Sequence, residues 1–325
     1  MRRTLLKGAL TLGIALPFGL PRAQDYPARP VRMLVGFPPG STTDLVARAV
    51  ADALRRKLGQ PFIVENRPGA NGMLAAEAGA RADPDGHTLL VANTSSITVN
   101  PLLYKDLRYD VAKDFAPIST VITAPMILMV NTRHPRTGQV RSLRELAEVA
   151  RRQSEPLTYG SGGNGNLLHL AGAQLSALLD LKAIHVPYRG AAPMQTALLA
   201  NEIDFAFNTL SAMPHIRAGT LRPLMVTADE RWPDLPDTPS AVDSGLPAMN
   251  MPIWTGLLAP TGTPAGVIAM LTAAIADLKN DPASREPLER EGRIRTVTAD
   301  AFARQIANEL RINAEVIKRA HIRID

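Results

Sequence analysis

The stretch Val31-Arg-Met-Leu-Val-Gly-Phe-Pro-Pro-Gly40 sets the fold class, because it predicts a buried strand that ends in a tight Pro/Gly turn. Residues 43–58 follow with apolar side chains at helical spacing, and Gly59 ends the predicted helix. The apolar positions that define this spacing are Leu45, Val46, Ala49, Val50, Ala53 and Leu54. A strand, a tight turn and an amphipathic helix together form the first unit of an alternating α/β fold.

The same alternation continues along the rest of the chain. Further strands are predicted at residues 62–65, 88–92, 125–130, 157–160, 183–187, 203–207, 223–227 and 254–258. Further helices are predicted at residues 73–82, 142–153, 166–179, 192–201, 264–280 and 299–320, the last two closing the chain, with a proline-rich loop at 232–252. The series strand–helix–strand–helix–strand ends near residue 92 and starts again after residue 125. This pattern predicts two α/β lobes, with ligands bound at the carboxyl ends of their strands.

Composition excludes several classes of protein. The chain has 325 residues, of which 46% are hydrophobic and 20% charged, and this fits two domains of about 100–150 residues each rather than a disordered or coiled-coil protein. The absence of cysteine excludes disulfides, a thiol nucleophile and iron–sulfur ligation, and the six histidines lack metal-ligand spacing, so we expect no metal and no cofactor. Without Arg2, Arg3, Lys7 and Arg22 the formal charge falls from +6 to +2, so we expect no nucleic-acid partner.

The amino terminus has the order of a secretory signal. A basic segment, Met1-Arg-Arg-Thr-Leu-Leu-Lys7, precedes the apolar residues 8–16, and the best cleavage site follows Ala23. The apolar run is shorter than the ~20 residues that span a bilayer. The paired arginines also approach a twin-arginine signal. We therefore expect export to a periplasm by the Sec or the twin-arginine route; the alternative is a frayed basic helix of a cytoplasmic protein.

The loop Gly36-Phe-Pro-Pro-Gly-Ser-Thr-Thr-Asp44 is the first candidate site. Gly40 permits a tight turn, and free N–H groups at the start of the following helix, with the positive end of its dipole, can bind an anion. An alternative is a plain helix start in which Ser41 and Asp44 form a capping pair. Asp44 would repel a nearby anion, so we assign it to capping or to an ammonium group.

The loop Tyr159-Gly-Ser-Gly-Gly-Asn-Gly-Asn166 is the second candidate site. The glycines Gly160, Gly162 and Gly165 match the dinucleotide fingerprint between a strand and a helix, but no acid ends the next strand. Arg189 could meet a 2′-phosphate, which leaves an NADP-dependent oxidoreductase as the alternative function. A glycine nest for a smaller anion explains the loop better. His169, one turn into the helix, either reaches the cleft or is a buried, hydrogen-bonded histidine.

The polar segment Asn93-Thr-Ser-Ser-Ile-Thr98 at a strand end is the third candidate, and it either hydrogen-bonds a carboxylate or is an ordinary loop. We find no G-x-S-x-G elbow and no phosphate-binding P-loop. The sequence therefore does not predict an enzyme.

Four motifs in order resemble the substrate-binding receptors of tripartite tricarboxylate transporters, the Bug or TctC-like proteins. They are Val35-Gly-Phe-Pro-Pro-Gly-Ser-Thr-Thr-Asp-Leu-Val-Ala-Arg48, Val64-Glu-Asn-Arg-Pro-Gly-Ala-Asn-Gly72, Tyr159-Gly-Ser-Gly-Gly-Asn-Gly-Asn-Leu-Leu-His-Leu170 and His185-Val-Pro-Tyr-Arg-Gly-Ala-Ala-Pro193. The likeness extends to Leu257-Leu-Ala-Pro-Thr-Gly-Thr-Pro264. Many relatives have Gly-Gly after the two prolines, whereas Ser41 here adds a hydroxyl that bears on ligand identity.

The resemblance implies a type II periplasmic-binding-protein fold, with two lobes of mixed sheets flanked by helices and a hinge between them. We expect a signal peptide at residues 1–23, a first lobe from residues 24–124 and about 250–325, and a second lobe from residues 125–249. The implied function is that of a monomeric receptor that binds a small carboxylate (a di- or tricarboxylate, an acidic amino acid or an aromatic acid) and makes transient contact with a membrane permease.

The resemblance also implies which residues contact the ligand. Carried over to this sequence, they are Phe37, Gly40, Ser41, Thr42, Thr43, Thr94, Ser95, Ser161, Gly162, Gly163 and Asn166. To these we add Asp44, His169, Tyr188 and Asn208 as candidates. We further expect the helices that begin near Thr42 and Gly165 to face each other across the cleft, so that a dianion bridges their amino termini.

Overall fold

The computed structural model describes residues 26–320 and residue 322, so the predicted signal at residues 1–23 lies outside the described residues. Its strands form two sheets with the orders β11-β4-β10-β3-β1-β2 and β7-β6-β8-β5-β9. The first sheet contains β1 (Val31–Val35), β2 (Phe62–Asn66), β3 (Thr88–Asn93), β4 (Phe115–Ala124), β10 (Ile253–Pro260) and β11 (Arg293–Ile294). The second sheet contains β5 (Ile127–Asn131), β6 (Leu157–Ser161), β7 (Ala183–Pro187), β8 (Phe205–Asn208) and β9 (Leu221–Val226).

Helices flank both sheets. Those that precede the second sheet in the chain are α1 (Thr42–Leu58), α2 (Met73–Ala80), α3 (Asn100–Leu103) and α4 (Val111–Asp114). Those between its strands are α5 (Leu143–Arg152), α6 (Leu167–Leu179), α7 (Ala191–Leu199) and α8 (Met213–Arg217). The chain closes with α9 (Ala265–Ala276), α10 (Pro282–Glu291) and α11 (Ala299–Arg319).

Each sheet is built around one parallel β-α-β-α-β unit. In the first sheet β1 pairs in parallel with β2 and β3, and in the second β6 pairs in parallel with β7 and β8. Antiparallel strands complete both sheets, β10 beside β3 and β5 beside β8. The carboxyl ends of the parallel strands therefore form one edge of each sheet, where the loops that enter α1 and α6 lie.

The first sheet is buried on both faces. Met33 belongs to the apolar cluster beneath α1 and α9, while its neighbour Leu34 belongs to the cluster on the opposite face. Side chains of a strand alternate between faces, so a continuous apolar strand requires two covering layers. On α1 the buried stripe runs through Val46 and Val50, but Leu45 is 42% exposed. Leu45 is exposed because it lies one residue off the buried i, i+4 stripe.

The chain passes between the sheets after β4 and again in residues 227–252, before β10. Thr227 joins both passages: its hydroxyl accepts a hydrogen bond from the Met126 N–H at 2.8 Å and lies 3.2 Å from the Met251 carbonyl oxygen, to which it donates. Thr227 is fully buried. This hydroxyl therefore joins the two crossing segments, together with the Thr227 N–H, which donates to the Met126 carbonyl oxygen at 2.9 Å.

The structure contains elements that the sequence pattern did not predict. Strand β4 contains Pro117 and several hydroxyl side chains, and its pairing with β10 skips Ile118, the residue after Pro117. A bulge of this kind accommodates a residue that lacks an N–H group. Helix α10 contains Pro287 within a highly charged segment, so its apolar residues do not show a clear helical spacing in the sequence. In the described chain three α-helices follow β10, whereas the sequence pattern predicted two. The segment after β3 forms a buried π-helical turn, Ser95–Val99.

Candidate functional site

A cavity of about 370 Å³ lies between the two lobes, and loops at the carboxyl ends of strands from both sheets line it. This volume falls near the lower end of the ~300–1,000 Å³ that is typical of small-molecule sites. Eight of the residues predicted from the sequence line it: Phe37, Gly40, Ser41, Thr42, Thr43, Ser95, Gly162 and Asn166. The structure thus brings the first and second candidate loops, and part of the third, to one place.

The amino terminus of α1 opens into this cavity. Ser41 is the N-cap, and its Oγ accepts a hydrogen bond from the Asp44 N–H at 3.4 Å. Gly40 adopts a positive φ of 81°, which brings the chain round into the helix. Within the described chain, the backbone N–H groups of Thr42 and Thr43 have no hydrogen-bond partner. Two free donors at the positive end of a 17-residue helix have the geometry to bind an anion.

Asp44 stabilises this loop by hydrogen bonds on the side away from the cavity. Its carboxylate is 1% exposed and accepts hydrogen bonds from the Gly40 N–H at 2.9 Å and the Asn66 Nδ2 at 2.8 Å. Arg48 forms an ion pair with it. Burial opposes ionisation of Asp44, but the hydrogen bonds from Arg48, Gly40 and Asn66 outweigh burial and hold the pKa below its usual value. Asp44 does not line the cavity, and its partners leave it no role as a ligand for an ammonium group.

The amino terminus of α6 is closed, in contrast to that of α1. The side chain of Asn166 accepts from the N–H groups of Leu168 and His169 at 2.8 and 3.1 Å. The N–H of Leu167 donates across the cleft to the Ser95 Oγ at 3.0 Å. Our expectation that α6 presents its amino terminus to an anion is therefore wrong, because its donors are already occupied.

The glycine loop before α6 uses its donors internally as well. The N–H of Gly163 donates to the Ser161 Oγ at 3.1 Å, and that of Gly165 donates to the His169 Nδ1 at 3.1 Å. A dinucleotide fingerprint needs these groups free to cradle a pyrophosphate. The loop geometry does not support the NADP-dependent alternative.

His169 supports the loop from the lobe interior and does not line the cavity. Its ring stacks on that of His185, with centroids 3.7 Å apart and an interplanar angle of 4°. The His185 Nε2 lies 2.6 Å from the Ser161 Oγ. Burial lowers the pKa of His169 to about 4, and burial followed by the charge of His169 lowers that of His185 to about 3. The pair is neutral at pH 7, and His169 is a buried, hydrogen-bonded histidine.

Several residues predicted to contact the ligand lie outside the cavity lining and form hydrogen bonds within the cavity wall. The Thr94 Oγ accepts from the Trp254 N–H at 3.0 Å, and the Tyr188 N–H donates to the Ser161 carbonyl oxygen at 3.0 Å. Asn208 donates to the Gln195 Oε1 at 2.7 Å and so positions a side chain that does line the cavity. The predicted residues outside the lining are Asp44, Thr94, Ser161, Gly163, His169, Tyr188 and Asn208. Thr94 bonds to a distant strand, which a single sequence does not reveal, whereas Asp44, Ser161 and His169 also bond to groups within four residues of themselves.

Sequence reasoning also missed part of the cavity wall. The unpredicted polar or charged lining residues are Asn93, Arg189, Gln195, Thr209, Ser211 and Thr255. Of these, Arg189 was noted only for its possible contact with a 2′-phosphate. Thr255 lies on β10, where the alternating pattern predicted a strand but not which strand lies beside it. Its hydroxyl is buried and has no partner among the described residues.

Comparisons with known proteins identify the family of this chain. The sequence pattern of the tripartite tricarboxylate transporter family receptor matches residues 46–322. The chain belongs to this receptor family. BugT of Bordetella pertussis is 32% identical over 312 residues, which are 95% of this chain and 93% of BugT.

Solved structures show the same fold. An R. palustris protein solved with adipate covers 92% of this chain and 99% of its own, at 30% identity and a TM-score of 0.85. MatC of Rhodopseudomonas palustris, with bound malate, matches 90% of this chain and 100% of its own, at 31% identity and a TM-score of 0.80. These findings confirm the resemblance to Bug-type receptors and the two-lobed α/β fold. Receptors of this family are periplasmic solute-binding proteins that work with membrane transporters. Of the helices in the described residues, none combines the length and apolar character that crossing a membrane requires.

Proposed function

We propose that this chain is an extracytoplasmic receptor that binds a small carboxylate in the interlobe cavity and delivers it to a tripartite tricarboxylate-type permease. The observation that supports the proposal is the open amino terminus of α1, where the N–H groups of Thr42 and Thr43 have no partner among the described residues and lie in a cavity lined by both lobes. A carboxylate there replaces water as the acceptor. It gains charge-assisted hydrogen bonds of about 1.5–3 kcal/mol each.

The surroundings of the site support a bound anion rather than a reaction. Asp44, the nearest carboxylate on α1, is neutralised by Arg48 and turned towards Gly40 and Asn66. The Ser161 hydroxyl, which lies against an imidazole, is completely buried and bonded within its own loop. A nucleophile must reach its substrate to react. We therefore assign binding without turnover to this cavity.

Binding is coupled to lobe closure in this proposal. In the proposal, residues 26–124 with about 250–320 act as one lobe, residues 125–249 act as the other, and the crossings tied by Thr227 act as the hinge. A ligand that contacts loops of both lobes gains its full set of hydrogen bonds only when they are close together. That difference in contacts shifts the population towards the closed state.

A thermal-unfolding screen of the purified protein against carboxylates tests the proposal. A ligand at 100 times its dissociation constant adds about 2.7 kcal/mol to the free energy of unfolding, which for a chain of this length raises the melting temperature by about 4 °C. The same compounds as methyl esters are the control, since they lack the anionic group. A screen in which no carboxylate raises the melting temperature more than its ester contradicts the proposal.

A further inference from the structure

The cavity wall formed by the described residues carries positive charge and no negative charge. Among the residues that line it, Arg189 is the single cation and there is no aspartate or glutamate. Arg189 belongs to the second lobe, between β7 and α7; it is an exposed residue and forms no ion pair within the described chain. The first lobe supplies a separate positive end, the start of α1. The cavity therefore has a site for negative charge on each lobe and no carboxylate to hold a positive group.

Helix α7 contributes to the second of these sites. Its N-cap is Gly190, which has no side chain to cap the helix and adopts a φ of 117°. Gly190, Ala191 and Ala192 line the cavity, and the N–H groups of both alanines lack partners in the part of the chain that the structure describes. Gly190 separates Arg189 from these N–H groups, and Arg189 and the open helix terminus line the same cavity.

Polar side chains complete the wall around these two sites. Asn208 is 1% exposed and fixes the Gln195 side chain by a hydrogen bond to its Oε1, which leaves the Gln195 amide nitrogen as a donor. The Thr255 hydroxyl is buried, unpartnered and part of the same wall, and Thr255 is 1% exposed. A buried hydroxyl without a partner is unfavourable unless a ligand or water supplies one. The apolar side chains of Leu168, Pro193 and Ile253 also line the cavity.

We infer that Arg189 and the amino terminus of α7 form a second anion-binding subsite, so that the ligand is a dicarboxylate without an ammonium group. The inference rests on the carboxylate-receptor function proposed above and adds a residue that decides between its ligand classes. One carboxylate binds at α1, the second binds at α7, and the hydrocarbon chain lies against the apolar wall. Because the two subsites are on different lobes, a monocarboxylate satisfies one lobe only.

Isothermal titration calorimetry with matched acids tests this subsite. The probes are succinate, glutarate and adipate, each paired with the monocarboxylate of equal length: butyrate, valerate and hexanoate. Glutamate is compared with glutarate to test the ammonium group. We expect the preferred dicarboxylate to bind at least about 10-fold more tightly than its monocarboxylate partner, the scale of one charged hydrogen bond. We also expect glutarate to bind more tightly than glutamate.

Variants then locate the second carboxylate. Arg189→Gln should weaken dicarboxylate binding by about 10- to 100-fold and leave monocarboxylate binding within about twofold, while Arg189→Lys should recover part of the loss. Arg151→Gln, on the exposed surface of α5, is the matched control and should change neither. Equal affinity of wild-type protein for both acids of a pair, or an equal loss for both in Arg189→Gln, overturns the subsite while carboxylate binding at α1 stands. If glutamate binds more tightly than glutarate, the absence of a site for ammonium is refuted. Absence of binding by every acid overturns both the subsite and the receptor function.

Discussion

Replacing Thr42 with proline removes one backbone N–H from the cavity and leaves α1 able to form. Thr42 is the first helical residue after the Ser41 N-cap, the position at which proline is most favourable in a helix. Ser41 has φ −70° and ψ 155°, an extended conformation that suits a residue before proline. The Thr42 N–H has no partner in the described chain, so no hydrogen bond within the protein is lost.

The expected magnitude follows from the number of donors removed. One charge-assisted hydrogen bond contributes about 1.5–3 kcal/mol, so Thr42→Pro should weaken carboxylate binding by about 10- to 150-fold. Thr42→Val is the matched control, because it removes the hydroxyl and keeps the backbone N–H. The melting temperature of both unliganded variants should stay within about 3 °C of wild type, since proline at the first helical position changes stability by less than about 1 kcal/mol.

Calorimetric titration with adipate measures the effect on wild type and both variants. Selective loss in Thr42→Pro shows that the backbone N–H holds the anion. Unchanged binding by Thr42→Pro would refute the assignment of the anion to α1. An equal loss in Thr42→Val would show that the hydroxyl, not the open helix terminus, is responsible.

Three further predictions concern the cavity wall, the buried imidazoles and the hinge. Gly162→Val should abolish binding of the acid that the wild type binds most tightly, while circular dichroism shows a folded protein, because a Cβ there would lie 2.7 Å from the Asn166 Nδ2; undiminished binding contradicts this. Lowering the pH from 6.5 towards 4 should destabilise the fold, because the lowered pKa of His169, about 4, makes the unfolded chain bind protons first. At pH 5 the lowered pKa of His169 reduces the free energy of unfolding by about 2 kcal/mol, and the lowered pKa of His185 acts in the same direction. Urea unfolding of a His169→Gln, His185→Gln variant should therefore show a free energy of unfolding that depends less on pH. The same pH dependence in this variant and in wild type would exclude these histidines as the cause. Thr227→Val should lower the free energy of unfolding in urea by about 1–3 kcal/mol, because the Met126 N–H loses its buried acceptor, whereas Thr227→Ser keeps the hydroxyl and should lose less; equal losses would contradict the role of the hydroxyl.

The amino-acid sequence by itself determined those features whose residues are close together in the chain. Helix α1 was predicted within one residue of its observed start, because its N-cap, its apolar period and the terminal Gly59 all lie within 19 residues. The anion loop is equally local, since Gly40, Ser41 and the first turn of α1 are neighbours in the chain. The alternation of strands and helices likewise predicted two α/β units, since a period of two or 3.6 is read from adjacent residues.

Contacts between distant segments decided the rest, and no local pattern encodes them. Helix α6 has the stronger sequence signature, yet Asn166 and Ser95 close its amino terminus, and Ser95 is 72 residues from the Leu167 N–H that it accepts from. Helix α7 starts with Gly190 and two alanines, which carry no chemical signal, and it is their position on the cavity that makes their free N–H groups relevant. Whether a terminal donor is free depends on which groups from elsewhere in the fold reach it, and only the tertiary structure settles that.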